Sequence, residues 1–173
     1  MATALLVTGT VGSGKTSTAE AVGDLLTARE IPNAVIDVDW LRRCWPSPPG
    51  DRFNGALTVR NLRAVTGNFV DAGARRIVLA GVIESRTERQ SYQDALGLPL
   101  SVCRLRVALP AVHARLRRRH ADDPEGLSWH LHRSGELDRI LDAAGVEDVV
   151  VDVTTETIPQ VAASVLSAAH VIG

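Results

Sequence analysis

Gly9-Thr10-Val11-Gly12-Ser13-Gly14-Lys15-Thr16 satisfies G-x-x-x-x-G-K-[ST] at every fixed position, a spacing that lets backbone wrap a polyphosphate. Gly9, Gly12 and Gly14 allow successive N–H groups to turn toward one anion, and the positive end of a following helix adds to the attraction. Lys15 is then expected at the β- and γ-phosphates and the Thr16 hydroxyl on Mg2+, with Ser13 and Ser17 completing the nucleotide contacts. The plainer reading is a glycine-rich strand-to-helix turn that holds nothing. Composition argues against it. Of 19 basic residues, 18 are arginine and Lys15 alone is lysine. The one compact ammonium thus stands in the one motif that calls for a point charge.

A second constellation is Asp37-Val38-Asp39, directly after an apolar run. In an extended segment the two carboxylates point the same way. They would stand at the carboxyl edge of a sheet, where open α/β folds bind ligands. Phosphoryl transfer asks the protein mainly to position groups and neutralise charge, with one carboxylate orienting the nucleophile. The competing reading has them capping a following helix, Asp39 ahead of Trp40–Arg43. A third is Arg115-Leu116-Arg117-Arg118-Arg119, where Arg115 and Arg119 are four apart and share a helix face. A solvated basic face or a nucleic-acid patch would look similar, but a net charge of −1 weakens the patch.

Arg42, Arg43, Arg52, Arg60 and Arg63 fall between two expected strands and would suit an anionic or polyhydroxylated acceptor, although surface arginines are commonly just solvated. Trp40, Trp45 and Phe53 either line that pocket or pack beside the prolines. His113, His120, His130 and His132 lack the cysteine partners and regular spacing of a zinc site.

The elements that must carry these residues follow from hydrophobic period. Short apolar runs alternate with helical stretches, the sign of βαβ units and a parallel sheet. Five strands are expected at Ala4–Thr8, Ala34–Asp37, Arg76–Ala80, Ser101–Leu109 and Val149–Val153. Helices are expected over Gly14 to about Ala28, Leu57–Ala72, Pro110 to about His120, about Leu131–Ala144, and Ile158–His170. Pro46, Pro48, Pro49 and Gly50 make part of Trp40–Asn54 irregular, and Ala121–Ser128 reads as a break between helices, with mobility expected at Asp122–Gly126. At 173 residues, 45% hydrophobic and 23% charged, the chain has ordinary globular composition. Cys44 and Cys103 read as reduced thiols. No apolar run reaches the roughly 20 residues of a membrane span, and no basic leader precedes Ala4. A cytoplasmic protein without membrane or nucleic-acid partners is expected.

The phosphate loop, the Asp-x-Asp pair and the Arg115…Arg119 pattern resemble the P-loop kinases of the adenylate kinase–like group. Shikimate kinase, adenylylsulfate kinase and chloramphenicol phosphotransferase are the nearest in pattern. The resemblance implies a three-layer α/β P-loop NTPase fold: a five-stranded parallel sheet in order 2-3-1-4-5, flanked by helices, with a small lid. Residues 1–173 would form one such domain, with an acceptor-binding segment at about 40–72 and a lid at about 115–135. It also implies roles. Lys15, Asp37, Asp39, Arg119 and Arg133 would be catalytic, with Asp37 and Thr16 at Mg2+ and Asp39 holding the acceptor hydroxyl and taking its proton. Arg115 would cover the base, Arg119 meet the phosphates, and Arg133 close from the lid on the transferring group. Thr154, in the loop Asp152–Thr155, would border the adenine. Arg42, Arg60 and Gly81 would join Asp39 on the acceptor side.

One stretch departs from the family patterns. Gly81-Val82-Ile83-Glu84-Ser85-Arg86 has neither the glycine cluster of shikimate kinase nor the Asp-Gly-Phe-Pro-Arg of nucleoside monophosphate kinases. That leaves the acceptor open and argues against a nucleotide acceptor, with Glu84 or Arg86 as further crevice residues. The expected activity is ATP-dependent transfer of a phosphate to a small-molecule hydroxyl, by a monomer or homodimer. The alternatives are a nucleotide-binding regulatory ATPase, which would here lack an Asn-Lys-x-Asp guanine motif, and a nucleoside or nucleotide kinase.

Overall fold

The structure is a computed structural model that describes residues 1–169. Strands β1 (Thr3–Thr8), β2 (Asn33–Asp37), β3 (Arg76–Ala80), β4 (Leu100–Val107) and β5 (Val149–Val153) pair in parallel in the order β2-β3-β1-β4-β5. This is the order that the family resemblance implies. The helices are α1 (Lys15–Thr27), α2 (Val38–Leu41), α3 (Gly55–Asp71), α4 (Arg86–Leu96), α5 (Leu109–Arg119), α6 (Pro124–Ala144) and α7 (Ile158–Ala168). His170, the expected end of the last helix, lies outside the described residues.

Central strand β1 shows how the sheet builds two cores. Leu5 and Val7 point into one layer, where Val22 and Leu26 of α1 and Val161 and Val165 of α7 bury their side chains. Ala4 and Leu6 point the other way, against Leu62 of α3 and Tyr92 and Leu96 of α4. A strand covered on both faces needs apolar residues at both parities, which is why β1 reads as a continuous run and not as an alternation. Each full leucine burial contributes about 1.5–3 kcal/mol. β4 carries one exception. Arg104 is 3% exposed and its guanidinium meets Asp138 and Asp142 of α6 and Glu147, at 2.9, 2.7 and 3.6 Å. That cluster fastens α6 to the sheet.

Three expectations from sequence are corrected. The α4 helix was not anticipated from hydrophobic period, because it is amphipathic only over a short, strongly polar stretch. Its signals are at its ends: the Ser85 hydroxyl accepts the Glu88 N–H at 3.1 Å, and Gly97 closes it in the left-handed conformation. The expected break Ala121–Ser128 is shorter, and α6 begins at Pro124 instead of about Leu131. Asp123 caps it by accepting the Gly126 N–H at 3.0 Å, and proline suits a first turn. The fourth strand stops at Val107, and Leu109 already belongs to α5. Among the described residues, no helix is long and apolar enough to cross a membrane.

Candidate active site

The loop between β1 and α1 crosses the carboxyl edge of the sheet. Gly14, the N-cap of α1, has φ +94°, and no side chain caps the helix. Its first N–H groups are therefore left to meet a ligand. At Gly9 a Cβ would stand 2.8 Å from the Leu105 carbonyl and 2.7 Å from Ser13 Oγ, so only glycine lets the loop lie this close to β4. Ser13 Oγ is buried without a hydrogen bond. The loop is held from behind: the Thr10 hydroxyl donates to the Ser134 carbonyl of α6 at 2.5 Å.

Lys15 Nζ donates to the Thr10 carbonyl at 3.0 Å, across the inside of the loop. Burial pushes its ammonium down to about 8, opposed by Asp39 and Asp37, while Arg119 adds to the lowering. A buried cation with a weakened hold on its proton is a group awaiting an anion. The Thr16 hydroxyl donates to Asp37 Oδ2 at 3.0 Å. Two hard oxygens so placed fit a magnesium ion. Asp37 Oδ1 accepts the Asp39 N–H at 2.9 Å. The capping alternative is therefore realised, but by Asp37 and not Asp39, and it coexists with the contact to Thr16. The extended geometry expected for Asp37-Val38-Asp39 is replaced by a turn of helix at α2. Asp39, in its first turn, is exposed, within electrostatic reach of Lys15, and 3.6 Å from Arg42 Nε.

Three cavities adjoin these groups. One of about 200 Å³ is lined by the loop, Thr16, Ser17, Arg115 and Arg119. Arg115 also donates to the Ser13 carbonyl at 3.3 Å. The second, about 300 Å³, runs past Arg115 to Ser17, Thr18, Val153, Glu156 and Val161, a slot with apolar walls. Thr154 does not line it. Its N–H and hydroxyl turn instead to the Glu156 carboxylate, at 2.7 and 3.2 Å. The third, about 580 Å³, lies between α3 and α4, with Arg42 on its wall.

The remaining candidates stand apart. Arg133 is tied to Glu84, just past β3, and to Glu136 at 2.9 Å, and lines none of the three cavities. Arg60 is exposed on α3, within reach of Asp51, whose carboxylate the Leu57 N–H holds below the usual range. Gly81 lies under Val38, whose Cβ would sit 3.1 Å from a Cβ there, so it makes room for α2, and it lines none of the three cavities. Arg86 and Arg89 line a different hollow on the far side of α4. Sequence reasoning did not single out Glu88, Tyr92 or Glu156. The first two belong to the unread helix, although the Ser85-x-x-Glu88 capping spacing was visible.

The family model for adenylylsulphate kinase matches residues 1–150. No curated protein matches the chain. Among solved structures, a gluconokinase from Sinorhizobium meliloti superposes with a TM-score of 0.63 at 20% identity, over 95% of this chain and 90% of that one. Shikimate kinase from Acinetobacter baumannii, solved with shikimate, gives 0.62 at 14%, over 96% and 92%. The APS kinase of Mycobacterium tuberculosis, solved with AMPPNP and APS, gives 0.57 at 22%, over 96% of each chain. At these identities the likeness speaks for the fold.

Proposed function

We propose, from the premise that this chain belongs to the adenylylsulphate kinase family, that it moves the γ-phosphate of ATP to a hydroxyl of a small molecule. Membership of a kinase family makes it a phosphotransferase; the choice of ATP and of a hydroxyl acceptor is our reading. The observation that carries it is the convergence of Lys15, the Thr16–Asp37 pair and Asp39 on one loop whose helix N-terminus has no side-chain cap. ATP is favoured because the apolar slot beyond Arg115 suits a flat base, and because the related APS kinase was solved with AMPPNP.

In this reading the loop amides and Lys15 hold the β- and γ-phosphates, and Arg119 meets them from α5. Magnesium, when bound, neutralises phosphate charge, and Thr16 Oγ1 and Asp37 Oδ2 are the oxygens that would hold it. Asp39 accepts a hydrogen bond from the acceptor hydroxyl, orients its oxygen toward the γ-phosphorus and takes its proton. Arg115 packs along the base. The free thiols Cys44 and Cys103 suit a reducing cytoplasmic setting.

Titration calorimetry with Mg·ATP tests the reading. Binding is expected for the natural chain and is expected to vanish in Lys15→Ala. An affinity that survives the substitution would remove the phosphate loop from the argument, and the proposal with it.

A further inference from the structure

The family's name points to adenylylsulphate, an anion, and the arginines between β2 and β3 suit one by charge. The side chains distribute otherwise. Arg42 alone among them lines the 580 Å³ cavity, and its charge is already answered by Asp39 at 3.6 Å. Arg43 and Arg52 lie over the faces of Trp40 and Phe53, 4.5 and 5.4 Å from the ring centroids. Arg89 turns away to Asp148 at 2.9 Å, and Arg133 is tied to Glu84 and Glu136.

What faces the cavity from α4 is a carboxylate. Glu88 is half-buried, and its Oε2 accepts the Glu84 N–H at 2.8 Å. Among the described residues no cation comes within ion-pair distance of it; Arg42 acts on it only from farther off. Burial pushes its carboxyl above the usual range; the Glu84 N–H opposes the rise, the Glu84 carboxylate adds to it, and Arg42 opposes it from farther off. Beside it, Tyr92 is 2% exposed, and its hydroxyl is buried against the Arg42 side chain. The cavity is therefore bordered by the Arg42–Tyr92 pair near Asp39 and by one carboxylate without an ion pair farther along α4, with Ala56 and Val59 as apolar wall.

Resting on the kinase reading above, we propose that the acceptor is an amine-bearing polyol and not an anion. One hydroxyl lies on the wall formed by Arg42 and Tyr92, which brings it to Asp39 for phosphorylation. The ammonium pairs with Glu88. The step balances simply: the hydroxyl oxygen forms a bond to the γ-phosphorus, the bond to the β,γ-bridging oxygen breaks, ADP leaves with that electron pair, and the hydroxyl proton goes to Asp39. The amine keeps its proton throughout. An anionic acceptor would instead enter a cavity whose one cation is spent, opposite an unpaired carboxylate.

Three ring polyols of nearly equal size separate the possibilities: streptamine, which is a diamine, myo-inositol, which is neutral, and quinate, which is an anion. ADP release with Mg·ATP is measured for each, with saturation-difference NMR in Mg·AMPPNP to detect binding without turnover. Streptamine is expected to have kcat/KM at least about tenfold above quinate. Glu88→Gln, which keeps the acceptor oxygen for the Glu84 N–H, is expected to raise KM for streptamine about tenfold, leave Mg·ATP affinity unchanged and erase the preference. Tyr92→Phe is expected to raise KM for all three alike. Equal or better use of quinate overturns the proposal, as does a Glu88→Gln chain that keeps the preference. So does normal Mg·ATP binding with no contact to streptamine by either method, a result that leaves the kinase reading standing. Failure to bind Mg·ATP at all is separate and sinks the kinase reading itself.

Discussion

The nucleotide side and the acceptor side of this molecule share one sheet edge but are built on different terms. Around Lys15 the working parts are backbone N–H groups, fixed by the conformations of consecutive residues, and they come from one short stretch of chain. Between α3 and α4 the parts proposed to meet the acceptor are side chains from elements far apart in sequence: Arg42, Glu88 and Tyr92, with Asp39 at the join. A backbone cradle recognises any polyphosphate and tolerates little change, because its geometry is set by glycines that no other residue replaces. A side-chain wall can be rewritten one residue at a time while the fold persists. In this chain the phosphate loop is accordingly the part with a motif of fixed spacing, and the region between α3 and α4 is the part without one.

The sharpest way to break this division is at the join. Asp39→Asn is expected to lower phosphoryl transfer about 10³-fold, by removing the group that orients and deprotonates the acceptor. Mg·ATP affinity at pH 7 should stay within about twofold, since Asp39 acts on Lys15 only through space. Single-turnover assays and calorimetry on the same preparation check both. If transfer and nucleotide affinity fall together, the two halves are not separable.

A smaller effect is expected from the support under α6. Arg104→Leu removes the buried cation shared by Asp138, Asp142 and Glu147, and leaves carboxylates crowded at a partly buried site. The loss should be about 3 kcal/mol in urea unfolding. Because Ser134 of α6 holds the Thr10 hydroxyl, loosening α6 should also weaken Mg·ATP binding. A stability loss with unchanged nucleotide affinity would show that the loop holds itself without that helix.

Next comes a proton. The Lys15 ammonium, lowered to about 8 by burial, regains its proton affinity when a polyphosphate enters. Below pH 8 both free and bound proteins are protonated, so affinity should be flat. Above it, binding must take up a proton, and Kd should rise about tenfold per pH unit until the bound form also titrates. Calorimetry in buffers of different ionisation enthalpy reads that uptake directly. By the same sign, the unliganded fold should gain stability as pH rises from about 8 toward 10.5, where unfolded lysine still carries the charge that the folded site resists. The acceptor-side variant Glu88→Gln should leave this profile unmoved.

How much of this was legible in sequence follows the same division. The phosphate loop, the five strands and their order, the last by family likeness, could be read because local pattern dictates them: apolar runs, glycines and a lysine at fixed spacing. Tertiary packing decides the rest. Arg133 and Arg42 look alike as exposed cations in sequence, yet one is tied to Glu84 and Glu136 and the other lines a cavity. Which carboxylate a long arginine reaches depends on elements up to 59 residues away, and no spacing rule carries that information. Arg104 is a similar case, a charge in a buried strand that only the α6 acids make tolerable. Glu88 and Tyr92 were missed for another reason. Their helix has too few apolar positions to announce itself by period, so its evidence lay wholly in its ends.

Those ends give the smallest prediction and a clean one. The Ser85 hydroxyl accepts the Glu88 N–H at 3.1 Å, while the Glu88 carboxylate reaches back to the Glu84 N–H at 2.8 Å. These two bonds start α4 and set the angle at which Glu88 and Tyr92 meet the cavity. Ser85→Ala should cost about 1 kcal/mol of stability, the usual loss for an N-cap hydroxyl, while Ser85→Asp, which restores an acceptor at the same place, should recover most of it. Mg·ATP affinity should not move in either variant, because the loop and α1 share no hydrogen bond with α4. KM for the acceptor should rise in the alanine variant and return with aspartate, following the helix start and not the stability of the whole chain. Were nucleotide affinity to track the cap as well, α4 would have to be counted with the cradle, and the boundary between a fixed half and a rewritable half would run elsewhere.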